Sequence, residues 1–122
     1  MIMTQAELNE ILEKHKKWLN DEPGGERANL SGSDLRDANL SGANLSNSDL
    51  SNSNLDFACL PLWCGSLLAH FDDRHIVQIV YHAVKAGLRS PNVSDEVKAE
   101  LRKVIPLANR FHRVKGCGVI EE

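Results

Sequence analysis

Leucine recurs at every fifth position across the first half of this chain: Leu30, Leu35, Leu40, Leu45, Leu50, Leu55 and Leu60. Two positions before each stands a small residue (Ala28, Ser33, Ala38, Ala43, Ser48, Ser53, Ala58), and between the two lies Asn or Asp until Cys59 breaks the rule. After the leucines come short pairs such as Ser31-Gly32, Ser41-Gly42 and Ser46-Asn47, ending in Asp56-Phe57. A period of five fits neither a helix nor a strand, so neither would keep the leucines on one face. They share an interior only if the chain turns once per unit. A small residue beside each leucine lets such an interior close at protein packing density. Asn, Asp, Ser and Gly tolerate tight-turn backbone and bond their own main chain.

Read as A-(D/N)-L-x-x, these units resemble the pentapeptide-repeat family, with seven consecutive units over residues 26–60. The resemblance implies a β-solenoid plus helices: a short right-handed quadrilateral β-helix, four units to a coil, with the leucine and the small residue pointing inward. Seven units make just under two coils. A stack so short has two open ends that the flanks must cover. The expected division is therefore 1–25, an N-terminal capping helix and hinge; 26–62, the repeats; and 63–122, a C-terminal helical module.

The flanks read as helical. Thr4 and Glu7 form a capping box, and Leu8, Ile11, Leu12, His15, Trp18 and Leu19 make one apolar stripe. His15, at the stripe's edge, reads as a partly buried structural histidine. Pro23, Gly24 and Gly25 mark a stop and a hinge. Beyond the repeats, Asp72-Asp73 offers an N-cap to a helix over residues 74–86, with Gly87 as its stop. Ser94 caps a second helix with Asp95 and Glu96 in its first turn, and Pro106 interrupts it near residues 102–105. Phe111, Val119 and Ile120 are expected to fold back on this helical hairpin.

Charge narrows the function classes. The chain carries 17 acids and 14 bases, net -3, which excludes a strongly basic nucleic-acid binder; no direct nucleic-acid binding is expected. No apolar run is long enough to span a bilayer, and the acids and lysines of residues 1–20 exclude a signal-peptide core. Three cysteines (Cys59, Cys64, Cys117) give neither a paired framework nor a zinc spacing and read as free thiols in the cytoplasm. His70, His75 and His82 lack metal-ligand spacing, Cys64-Gly65-Ser66 lacks the setting of a nucleophile elbow, and Cys117 between two glycines reads as a bystander thiol. No cofactor and no metal are expected, and the chain does not read as an enzyme.

The favoured reading is a non-enzymatic protein-interaction module. The alternative is a small acidic inhibitor or DNA-mimic decoy of a nucleic-acid-handling enzyme, gyrase-like or met in phage counter-defence (anti-CRISPR or anti-restriction). For either, Asp34, Asp37, Asp49 and Asp56 are the candidate partner surface, though spread over several faces and partly neutralised by Arg27 and Arg36. An enzyme or metal protein built on the histidine-rich helix is a third reading. The helix over residues 74–86 is apolar nearly all round, which predicts a homodimer through residues 70–110 with Ile76, Val80, Tyr81 and Val84 at its surface.

Overall fold

In the computed structural model, which describes residues 2–64 and 67–121, successive repeat units end in the same turn. The N–H groups of Ser33, Ala38, Ala43, Ser48, Ser53 and Ala58 each donate to the carbonyl of the leucine three residues back, at 2.9–3.1 Å. The third residue of each turn (Gly32, Asp37, Gly42, Asn47, Asn52, Phe57) has φ between 59° and 75°. That combination is the signature of a type II turn. The Asn or Asp before each leucine locks the turn from outside. Its Oδ1 accepts the N–H two residues on, from Asn29–Ser31 at 3.1 Å through Asn44–Ser46 at 3.0 Å to Asn54–Asp56 at 3.0 Å. The motif's polar position is thus an Asx turn, and its leucine is left to the interior. Leu30, Leu35, Leu40, Leu45 and Leu50 are fully buried in one cluster with Leu55.

Units 20 residues apart face one another. Parallel bridges join Asn29 to Asp49, Asp34 to Asn54 and Asn39 to Cys59. Leu30, Leu35 and Leu40 donate their N–H groups to the carbonyls of Asp49, Asn54 and Cys59 at 2.8–2.9 Å. The expected β-solenoid, a right-handed quadrilateral β-helix, is nevertheless not what forms. Among the described residues there are no β-strands, the bridges are isolated, and the named elements are all helices. The physical reason is the turn itself: each unit of five gives its leucine and next three residues to a turn, so no ladder runs on from one bridge into the next.

The chain divides into two compact units, residues 1–72 and 73–122. In the first, α1 (Gln5–Leu19) begins with the capping box of Thr4 and Glu7. It adds Leu8 to the leucine cluster, with Ile11 and Leu12 packed against it. His15 is 0% exposed, further inside than the stripe's edge suggested. Ala28 N–H can only donate to Nδ1 (3.0 Å), so Nε2 carries the proton and donates to Ser46 O at 2.9 Å. The neutral ring therefore joins α1 to both the start and the middle of the repeats. Burial, aided by the nearby Arg27 cation, holds the His15 pKa below its ordinary value. A depressed histidine pKa means the unfolded chain binds the extra proton. Stability of residues 1–72 is expected to be constant above about pH 6.5 and to fall as pH drops below it, measured by urea unfolding across a pH series.

After α1 the chain reverses so tightly that Glu26 N–H donates to Lys14 O at 3.0 Å. Gly25 makes the reversal possible: a Cβ there would lie 2.6 Å from Trp18 Cα and 2.7 Å from the Lys17 carbonyl carbon. Backbone cannot yield as a side-chain tip does. Gly25→Ala is expected to cost about 1–3 kcal/mol, as overpacking does, measured by thermal unfolding.

The second unit contains α2 (Asp73–Arg89), α3 (Asp95–Arg102), α4 (Ile105–Ala108) and α5 (Val114–Cys117). Its core is Val77, Tyr81, Val84, Ile105, Ala108 and Phe111. One expectation is corrected here. Gly87 does not stop α2, which runs on to Arg89; the Leu101 side chain occupies the place a Cβ at Gly87 would take, so the glycine admits α3 close to α2. The interruption expected near residues 102–105 is there: α3 ends at Arg102 and α4 begins at Ile105, with Pro106 in the first turn of α4, where its missing N–H has no partner to lose. The C-terminal segment does fold back in part. Asn109 holds Ile120 by both main-chain groups at 2.8 and 2.9 Å, while Val119 stays exposed.

Candidate functional site

The same turns that bury the leucines decide which side chains are displayed. Over residues 34–37 and 54–57 one unit lies upon another: Leu35 N–H donates to Asn54 O, and Asp37 N–H to Asp56 O at 3.1 Å. Asp34 is engaged in its own turn. It receives the Arg36 guanidinium through Nε and Nη2 at 2.7–3.1 Å, and this cation holds its carboxyl below the usual range. Asp37, at the turn corner, is exposed. Asp56 is nearly buried. Asp49 lies in a different column, accepting from Ser51 N and Oγ at 3.0 and 2.7 Å, and these bonds lower its pKa.

The four predicted acids are thus not one display. Asp34, Asp37 and Asp56 share a face. Asp34 and Asp49 also do structural work in turns, and Asp37 is the one of the four that is exposed.

Sequence reasoning missed Phe57. It stands at the left-handed turn position, φ 63°, which the five preceding turns fill with Gly32, Asp37, Gly42, Asn47 and Asn52. A bulky side chain there is an outlier, and the left-handed region costs an ordinary residue about 1–2 kcal/mol. Phe57 is also 71% exposed, so core packing does not offset that cost. The signal was present in the alignment of the repeats with one another, at the last pair of the series. Phe57→Asn, a residue this conformation suits, is expected to raise stability by about 1 kcal/mol, read as a higher urea midpoint at unchanged m-value.

Exposed apolar side chains continue past Phe57 with Leu62, Trp63, Leu67 and Leu68. The Trp63 indole N–H donates to Ala43 O at 3.0 Å. A groove of about 720 Å3 runs between α1 and the turns at residues 39–44, lined among others by Asn9, Leu12, Asn44 and Trp63. One part of it is tied by the Gln5 carboxamide, which bonds both main-chain groups of Asn39 at 2.9 Å.

In the second unit the predicted dimer surface comes apart. Ile76 is 46% exposed, whereas Tyr81 and Val84 are interior residues of the core and Val80 packs against it partly buried. The Tyr81 hydroxyl donates to Gly118 O at 2.6 Å, and Lys85 Nζ reaches both that hydroxyl and Cys117 O. The third apolar side of α2, which suggested a dimer, is thus covered within the unit by Ile105, Ala108 and Phe111. His75 is buried on α2, while His82 is exposed with its ring edge-on to Tyr81 and Phe111. Cys59, Cys64 and Cys117 are free and exposed; of Cys64-Gly65-Ser66, the last two lie outside the described residues. Among the described residues no group of three or more His, Cys, Asp or Glu is placed to hold a metal ion. No helix of the described residues is long and apolar enough to cross a membrane.

Residues 28–61 match the family model described as pentapeptide repeats, in eight copies. Comparison with curated proteins and with solved structures gives no match.

Proposed function

We propose that this chain, a pentapeptide-repeat protein through residues 28–61, works as a non-enzymatic protein-interaction module whose repeats are the scaffold. The observation that carries this reading is the run of exposed apolar side chains at Phe57, Leu62, Trp63, Leu67 and Leu68, beside a core in which the repeat leucines are buried. Exposed apolar groups gathered in one segment mark interaction surfaces on soluble domains. The setting is the cytoplasm, where the free thiols stay reduced.

The acids favour this reading over a DNA-mimic decoy. Two of the four are held in turns and a third is nearly buried, whereas duplex DNA presents one charge per ~1.7 Å of its axis. The test is affinity capture from nuclease-treated lysate with the full chain. A stoichiometric protein partner that excess duplex DNA does not displace is the expected result. A partner released by duplex DNA supports the decoy instead.

A further inference from the structure

The groove between α1 and the turns at residues 39–44 encloses about 720 Å3, the size of a small-ligand site, and both its walls are held in place. On one wall α1 presents Asn9, Glu13 and Lys16 at helical spacings of four and three, all exposed. Leu12, packed against the leucine cluster, lies among them. On the other wall stand Asn39 and Asn44, the same position of successive repeat units. The Gln5 carboxamide ties the two walls together. Its Nε2 donates to Asn9 Oδ1 and to Asn39 O, both at 2.9 Å, and its Oε1 accepts the Asn39 N–H at 2.9 Å. Trp63, 47% exposed, is anchored on the repeats by its indole N–H to Ala43 O at 3.0 Å.

These bonds decide which atoms the groove offers. The N–H groups of Ser41 and Ser46 can only donate, so Asn39 and Asn44 must turn Oδ1 into their own turns, at 3.0 Å in each. Asn9 gives its Oδ1 to Gln5 in the same way. Each of the three carboxamides is left to present its Nδ2 hydrogens. Glu13 adds a carboxylate acceptor, and with Lys16 on the same wall the lining residues carry no net charge. A phosphate or carboxylate ligand would meet one ammonium with an acid three residues away. A wholly apolar ligand would cover the amide donors and leave them unbonded, which is costly. A hydroxyl both donates and accepts, so a ligand built of hydroxyls satisfies carboxamides and carboxylate together. The C–H face of a sugar ring also suits an exposed indole. An extended peptide brings side chains to alternate sides, and a wall of carboxamides gives those nothing to select.

We propose that this groove binds an uncharged oligosaccharide. Its hydroxyls accept from Nδ2 of Asn9, Asn39 and Asn44 and donate to the Glu13 carboxylate, and one sugar ring lies on the Trp63 indole. Because the walls are tied before the ligand arrives, little ordering opposes binding. This goes beyond the protein-interaction reading and does not depend on it.

The test titrates the full chain with maltohexaose, cellohexaose and N-acetylated chitohexaose, and with a neutral Gly-Ser hexapeptide. Indole fluorescence reads Trp63, with Trp63→Leu separating it from Trp18, and side-chain amide resonances read Asn39 and Asn44. At least one of the three saccharides is expected to saturate both signals with a Kd of about 1 mM or tighter, while the peptide moves neither. Asn44→Asp keeps the oxygen that the turn uses, as Asp34 and Asp49 do at the same position, and removes the donor. It is expected to weaken binding at least about tenfold with the unfolding transition unchanged. Asn39→Asp replaces it if the Asn44 variant does not unfold cooperatively. No saturable shift with any of the three saccharides up to about 10 mM, saturation by the peptide instead, or equal affinity of the aspartate variant and the native chain overturns the proposal. Capture of a protein partner reads neither signal, so either reading can fail without the other.

Discussion

Leu45→Ala is expected to lower the unfolding free energy of residues 1–72 by about 2–5 kcal/mol, the range for leucines truncated in closed cores. Leu45 is 0% exposed in a cluster with the leucines on either side. The cavity left would be walled by residues fixed on both sides by turns, so the site has little freedom to collapse. The adjacent Asn44→Ala removes only the bond from Ser46 N–H at 3.0 Å, on an exposed side chain whose partner water can replace. It should cost about 0.5–1.5 kcal/mol. Urea unfolding of both variants at constant pH reads the difference. Equal losses would mean that leucine and asparagine do not face opposite ways.

The second large effect is at His15. His15→Leu puts an apolar side chain of similar size in place of the ring and removes both of its hydrogen-bonding nitrogens. Ala28 N–H and Ser46 O would lose their partners at 3.0 and 2.9 Å beside a buried ring. An unsatisfied buried group costs about 1–3 kcal/mol, so the pair should cost several times what an exposed substitution on α1 does. The fall in stability below about pH 6.5 should also disappear in this variant. If His15→Leu unfolds at the same urea concentration as the native chain, the ring does not join α1 to the repeats.

Much of the first unit was legible because its rule is local. The leucine, the small residue and the Asn or Asp sit in one five-residue unit, and the turn that satisfies them closes inside it. What could not be read locally was how far pairing would extend. A β-helix requires ladders that persist, and here each bridge is cut off by the next turn. In the second unit the errors have one cause. Gly87 reads as a helix stop, but Leu101 from α3 fills the space beside it; Tyr81 and Val84 read as an outer face, but Phe111 and Ile105 cover them. Periodicity shows that a helix is apolar all round, not which later segment covers each side. Phe57 is legible only by contrast: the other turns carry Gly, Asn or Asp at the position where it stands, so the shared pattern of the repeats does not show it.

Native-state amide hydrogen exchange of the free chain tests the twenty-residue register most directly. The N–H groups of Leu30, Leu35, Leu40 and Leu50, each bonded to the next rung at 2.8–3.0 Å, should exchange slowly and with a common opening free energy. No protection at any of the four, or protection that differs widely among them, would contradict the register.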